Sequence, residues 1–378
     1  MKRSLFLAIL CGSFALPVHS QDESLRNEVQ ASIDRGLKYL KTKQLPDGSF
    51  GSPDQPAITA LCVSAVMGNP ARDVAGIPVE ALKGYDFIVA SQKEDGRIFT
   101  AGLPSYNTTL SLSALSMATT VEKYRNAAIK ARRAVVGSQY DDGEKGKMDT
   151  PYDGGIGYGS KPPTDMSNTH LALEALYNAR NLFPDDPDAK KREPQLNYAA
   201  AIEFVSRCQN LPATNKESWV SGDAKNKGGF IYRPGETKVA PEPGSPEGKA
   251  LRSYASMSYA GLLSFIYADM DMKDQRVEAV REWLSKNYSV AENPGLGQEG
   301  LYYYYHTMAK CLNLAKLDVL EQADGKKVNW RLDLSRQMFN LQKEDGSWAN
   351  ENGRWMEKDS VLVTAYAILA LEHVIRGL

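Results

Sequence analysis

The chain has 378 residues, with 45 Lys plus Arg against 46 Asp plus Glu and a formal net charge of −1. A balance this close to neutral leaves no polybasic field for nucleic acid or anionic lipid, so those partners are not expected. Length alone suggests two or so domains, a prior that an internal repeat overrides.

Residues 1–20 begin Met1-Lys2-Arg3, run through an apolar stretch over 5–16 and end at Val18-His19-Ser20. The pattern predicts a secretory leader cut before Gln21, and therefore a secreted or periplasmic protein with one mature domain over 21–378. Loss of Lys2 and Arg3 takes the charge from −1 to −3. The stretch is too short to span a bilayer, and no later segment is long or apolar enough, so stable membrane insertion is not expected. Leu10 before Cys11 is the wrong residue for a lipid-attachment box. Cys62, Cys208 and Cys311 remain after cleavage, an odd number without metal-ligand spacing, and no disulfide framework, metal or cofactor is expected.

Along the rest of the chain two kinds of helix alternate. Segments 31–40, 81–90, 127–136, 199–208, 276–287 and 332–341 carry apolar residues at helical spacing with charges between them. Each is followed by a helix of small and apolar residues, over 58–66, 109–118, 169–179, 256–268, 305–314 and 361–374. An apolar surface on all sides implies burial, so the second helix of each pair is the inner one. The junctions repeat as well: Gln44-Leu45-Pro46-Asp47-Gly48-Ser49-Phe50, Gln92-Lys93-Glu94-Asp95-Gly96-Arg97-Ile98 and Gln342-Lys343-Glu344-Asp345-Gly346-Ser347-Trp348. Gln139-Tyr140-Asp141-Asp142-Gly143 reads as a degenerate copy. The units around Cys208-Gln209 and Asn287-Tyr288 keep only the rhythm. Units that cannot bury their apolar faces alone must stack on neighbours. Weak capping at both ends favours closure, which predicts an all-α fold, an α/α toroid of about six hairpins forming a closed (α/α)6 barrel, over an open solenoid.

Three loops, 140–167, 211–252 and 289–300, are longer than turns require, and loops of that length are functional or disordered. Two contain Gly-Gly before an aromatic: Gly154-Gly155-Ile156-Gly157-Tyr158 and Gly228-Gly229-Phe230-Ile231-Tyr232. These sequences suit close backbone packing, as a plug for one end of the ring or as a ligand contact.

The Gln-x-x-Asp-Gly-Ser-Trp junction at 342–348 resembles the repeats of squalene-hopene cyclases and of the β subunits of protein prenyltransferases, the terpene cyclase and prenyltransferase repeat superfamily. The resemblance covers nearly all of the mature chain and implies an α/α toroid with a central cavity opening where the inner helices start. In that family the Gln and Trp tie adjacent hairpins together. The catalytic sets match poorly. The cyclases protonate an alkene with Asp-x-Asp-Asp, whereas Asp165-Met166-Ser167-Asn168-Thr169-His170 keeps only its first carboxylate. Tyr305-His306-Thr307 is similar to the segment that supplies a zinc-ligand His in the prenyltransferases, but Arg252 and Tyr254 stand where their Asp and Cys ligands would be needed. Gly297-Gln298-Glu299-Gly300 lacks the Cys of the complement-like thioester domains. The resemblance therefore implies a non-canonical, secreted member of that superfamily.

In a closed ring, the residues before each inner helix converge on one pole. The expected ligand-binding set is Tyr106, Asn107, Asn168, His170, Tyr254, Tyr303, Trp355 and Asp359, and the expected chemical set is His306, Tyr304, Arg252 and Asp165. His306 would shuttle protons, Arg252 would clamp an anion and the tyrosine would donate. For Asp165 and Asp359 helix capping is the competing role. For Arg252 it is an ion pair to Glu247 or Glu299. Three functions follow as expectations: ligand binding in a central polar-aromatic cavity, with a small molecule or glycan as partner; a carbohydrate-active enzyme of polysaccharide-lyase type; and a non-catalytic scaffold whose pocket is filled by Phe230 and Tyr232. Whether the chain is an enzyme stays open at this level.

Overall fold

The computed structural model describes residues 18–159, 163–183, 187–241 and 249–378. The first 17 residues of the expected leader and Glu247 lie outside them. Helix α1 (Val18–Lys43) begins at the last three residues of the expected leader.

Outer helices α3 (Val79–Ala90), α5 (Glu122–Val136), α8 (Tyr198–Arg207), α10 (Gln275–Lys286) and α12 (Trp330–Leu341) join α1 in the amphipathic set. A short α7 (Pro187–Arg192) precedes α8. The inner helices are α2 (Pro56–Gly68), α4 (Pro104–Leu115), α6 (Met166–Asn178), α9 (Ala255–Tyr267), α11 (Leu301–Leu314) and α13 (Ser360–Ile375). Their residues are buried on nearly every face, as in α9 and α13. Packing runs from α2 to α4, α6, α9, α11 and α13, and α13 also packs against α2 and α1. Two small hairpins decorate this core: β1 (Ile156–Gly157) pairs with β2 (Thr164–Asp165), and β3 (Val319–Glu321) with β4 (Lys327–Asn329), both antiparallel. Among the described residues, no helix is long and apolar enough to cross a membrane.

One hydrogen-bonding device recurs at five junctions. The Gln44 Nε2 donates to the Gly48 carbonyl of its own turn at 3.0 Å and to the Glu80 carbonyl of the next outer helix at 2.8 Å. Gln92 does the same with Gly96 and Ala127, and Gln342 with Gly346 and Ser32. Gln139 reaches Gly154 and Asn197, and Gln209 reaches Gly228 and Arg276. The turn glycine is obligatory: at Gly96, φ is +87° and a Cβ would lie 2.3 Å from the Lys130 carbonyl oxygen. The residue two positions past that glycine then donates its N–H to an inner-helix hydroxyl, as Phe50 does to Thr59 and Trp348 to Thr364, each at 3.0 Å.

This corrects the reading of the fourth junction. Gln139 closes on Gly154, not Gly143, because residues 140–153 bulge out between them. Asp153 gathers that bulge, accepting from Thr150 N at 2.6 Å and Asp142 N at 3.0 Å. The two Gly-Gly-aromatic sequences are therefore the repeat turns themselves, displaced from their glutamines by insertions. Between α10 and α12 tyrosines take over: Tyr304 and Tyr305 donate to the carbonyls of Ser289 (2.7 Å) and Val290 (2.5 Å).

Candidate functional site

The N-terminal ends of the inner helices surround a chamber of about 390 Å³. Each hairpin delivers a wall residue because the chain must turn there from the outer to the inner layer. Tyr106 comes from the first turn of α4, Tyr254 from the N-cap of α9 and Tyr303 from the first turn of α11. Tyr366 stands one turn deeper on α13. Ile58, Leu61, Leu103, Leu110, Met257 and Leu362 fill the spaces between the rings.

The long loops complete the wall. β1 and β2 pair Ile156 with Asp165 and Gly157 with Thr164, and Tyr158, directly after β1, lines the chamber. Tyr232 lines the chamber, whereas Phe230 packs behind it against Phe265 with ring centroids 5.8 Å apart. Trp355 and Met356 lie at the rim with φ of +53° and +66°. Two consecutive left-handed residues with large side chains cost about 1–2 kcal/mol each, a strain of the kind retained where position matters. The glycine at 300 leaves room for this, since a Cβ there would lie 2.8 Å from the Trp355 ring.

Polar groups in the chamber are few and engaged. Glu357 is 1% exposed and accepts from Tyr303 N at 2.8 Å, Tyr302 N at 3.3 Å and Asn350 Nδ2 at 2.7 Å, so it caps α11. Burial pushes its carboxyl above the usual range. Lys238 pairs with Glu236 and sits 4.1 Å from the Tyr232 ring centroid. Burial pushes the hydroxyls of Tyr254, Tyr303 and Tyr366 well above the ordinary phenol range, so they stay neutral donors.

Of the residues singled out from sequence, Tyr106, Tyr254, Tyr303 and Trp355 meet in this chamber. His170 is buried beside it, its Nε2 3.0 Å from the Tyr303 hydroxyl, and burial lowers its pKa to about 3. Asp165 caps α6 through Asn168 N at 2.9 Å and also binds Asn168 Nδ2 at 2.9 Å; burial raises its carboxyl to about 6. Asn107 is engaged elsewhere, accepting from Ala57 N at 2.8 Å and donating to the Gly102 carbonyl at 2.9 Å. Asp359 caps α13 through Val361 N at 2.8 Å.

The proposed chemical quartet does not assemble. Tyr304 points away from the lumen to the Ser289 carbonyl. Arg252 donates to the Ala240 carbonyl at 3.1 Å, and Glu299 pairs with Arg354 at 2.5 Å instead. His306 belongs to the far half of the lumen, because α11 begins at Leu301 and not at 305, which places this residue in the helix's second turn. Tyr158, Lys238 and Glu357 are absent from the expected site set, and Tyr232, expected with Phe230 as a plug, lines the chamber instead; the Gly-Gly-aromatic turns are the signal that points to Tyr158 and Tyr232.

No family model and no curated protein matches the sequence. Solved structures match along nearly its whole length. An arginine-to-alanine variant of MstE, a type II terpene cyclase from Scytonema, in complex with its substrate geranylgeranyl dihydroxybenzoate, is 11% identical at a TM-score of 0.55, over 94% of this chain and 100% of that one. An inactive variant of an α-1,6-mannanase from Salegentibacter, in complex with α-1,6-mannotriose, is 11% identical at a TM-score of 0.56, over 94% and 99%. A protein from Actinoplanes is 12% identical at 0.51, over 92% and 99%. Identities this low carry architecture alone, and in architecture the chain is an α/α toroid protein like the type II terpene cyclases and the mannanases.

Proposed function

We propose that the protein closes six helical hairpins into a ring and binds an isoprenoid, or a similarly apolar polycyclic molecule, in the aromatic chamber. Closure is supported by α13, which packs against α11 on one side and α2 on the other, and by Gln342, which ties the last junction to α1 with the same bonds used elsewhere. The leader, cleaved before Gln21, would deliver the ring outside the cytosol.

The observation that carries the ligand class is the wall. Seven aromatic side chains and a set of aliphatic ones face a space whose cation and carboxylate are already engaged. Pockets of this size with a few fixed polar groups suit an apolar body with one polar end. An acidic polysaccharide needs several free cations, and glycoside hydrolysis needs two carboxyl groups facing the scissile bond; among the described lining residues Glu357 is the one carboxyl. Alkene protonation needs a carboxylic acid with its proton aimed at the ligand. Glu357 and Asp165 both spend their oxygens accepting hydrogen bonds, so the reading is one of binding.

Calorimetric titration tests it. Geranylgeraniol is expected to bind saturably with a negative heat-capacity change, and Met257→Trp, which fills the chamber, should weaken binding at least about tenfold. Saturable binding of mannotriose or an oligouronate that Met257→Trp abolishes, with geranylgeraniol inert, would overturn the proposal in favour of a glycan.

A further inference from the structure

The opposite ends of the inner helices enclose a second chamber, also of about 390 Å³. Leu61 and Leu110 line both, so the two chambers lie back to back along the lumen. Their chemistry differs sharply. Glu174 of α6 and Lys310 of α11 reach across the second chamber and meet at 2.6 Å, both nearly buried. His306 stacks on Tyr366 at 5.5 Å and on His373 at 6.3 Å between ring centroids. Glu372 of α13 is 1% exposed and lies against Gly68 and Arg376.

These groups are incompletely satisfied within the protein. Glu174 Oε2, Glu372 Oε1 and His373 Nδ1 are buried without a hydrogen-bond partner among the described residues. Buried polar atoms are almost always paired, and each exception needs a reason. Lys310 uses one of its three donors on Glu174.

The set itself narrows what would satisfy it. An apolar molecule would leave every one of these atoms unmatched. An anion would meet Glu174 and the carbonyl ends of the inner helices, while burial pushes the Glu372 carboxyl well above its ordinary range, towards a neutral donor and acceptor. A cation would meet Lys310 and Arg376. Burial holds the imidazoles of His306 and His373 well below their ordinary range, so each neutral ring offers one donor and one acceptor. Hydroxyl groups, which both donate and accept, match such a mixed and nearly neutral set. Tyr177 and Tyr267, with centroids 5.2 Å apart, add a wall for the C–H face of a ring.

We propose that the second chamber binds a neutral sugar, held by Glu174, Lys310, His306, Glu372 and His373 against Tyr177. The site is separate from the aromatic chamber and does not depend on what that chamber binds.

The test is titration of the whole protein with D-mannose, D-glucose and glycerol, followed by the imidazole NMR signals of His306 and His373. A hexose should shift both signals saturably, and glycerol should not. The double variant Glu174→Leu with Lys310→Met removes both partners of the buried ion pair together, and Glu372→Leu removes a hydrogen-bonding group while leaving Arg376, whose side chain is 43% exposed, to solvent. Both should weaken hexose binding about 10- to 100-fold and leave geranylgeraniol calorimetry unchanged. The proposal fails if neither hexose shifts the two signals saturably, if glycerol shifts them equally, or if the double variant binds the hexose as well as the parent. Geranylgeraniol binding reports on the first chamber alone, so the two readings fail independently.

Discussion

Asp165 and His170, five residues apart around the start of α6, are both buried, and they respond to acid with opposite signs. The Asp165 carboxyl rises from 3.8 to about 6 on folding because burial penalises its charge. The folded state thus holds that proton more tightly, and the parent gains stability from it as pH falls from 6 towards 4. At about 1.4 kcal/mol per pKa unit, ionised Asp165 costs about 3 kcal/mol at neutral pH. Asp165→Asn keeps a side chain able to cap α6, so it is expected to be more stable than the parent by up to that amount at pH 8, with the difference vanishing near pH 4. Urea unfolding at several pH values measures this, and parallel curves would refute it. His170 runs the other way. Its ring falls from 6.5 to about 3, so stability present above pH 6.5 is lost as pH falls through that window. His170→Gln, which still reaches the Tyr303 hydroxyl, should lose less stability than the parent between pH 6.5 and 4 in the same experiment.

At the scale of the elements, the junction glycine and glutamine act as one unit, and the glycine is the stricter of the two. Gly96 packs its Cα against the α5 backbone, where the obstacle to a Cβ is the Lys130 carbonyl and not a movable side chain. Gly96→Ala is therefore expected to cost about 3 kcal/mol or more. Gly76→Ala has nothing within 4 Å of the new Cβ and should stay within about 0.5 kcal/mol of the parent. Thermal unfolding of the pair checks the contrast, and equal losses would remove the backbone-clash account. The same unit explains what the sequence made legible. Helix type and pairing could be read because the inner helices are apolar on all sides. Three junctions could be read because Gln and Gly stand four residues apart. At Gln139 and Gln209 the same bonds form across insertions of 11 and 15 residues beyond that spacing, as the separations to Gly154 and Gly228 show, and a local motif is blind to them. The start of α11 was misplaced for a related reason. Leu301 to Tyr305 is an aromatic run without helical alternation, and Gly300, left-handed at φ +61°, is what opens the helix. His306 consequently sits a turn deeper than its neighbours in sequence suggest.

For the whole molecule the decisive question is whether the last hairpin behaves as an end or as one more member of a ring. In a linear stack, terminal units fray and their ties contribute little to global stability. In a ring no unit is terminal. Gln342 joins the last junction to Ser32 of α1 at 2.9 Å and to Gly346 at 3.0 Å, the same geometry by which Gln92 joins two interior hairpins. Each side chain satisfies two carbonyls, so either Gln→Ala change should cost about 1–3 kcal/mol. If the ring is closed, Gln342→Ala loses at least as much global stability in urea as Gln92→Ala, because Gln342 Oε1 also accepts from Ser32 Oγ at 2.9 Å and Arg35 Nε at 3.0 Å. Hydrogen exchange in the parent should then protect α1 and α12 as strongly as α3 and α5. Should Gln342→Ala prove nearly silent while α1 and α12 exchange early, the hairpins form an open spiral. The two chambers would then lose the wall that α13 and α2 share.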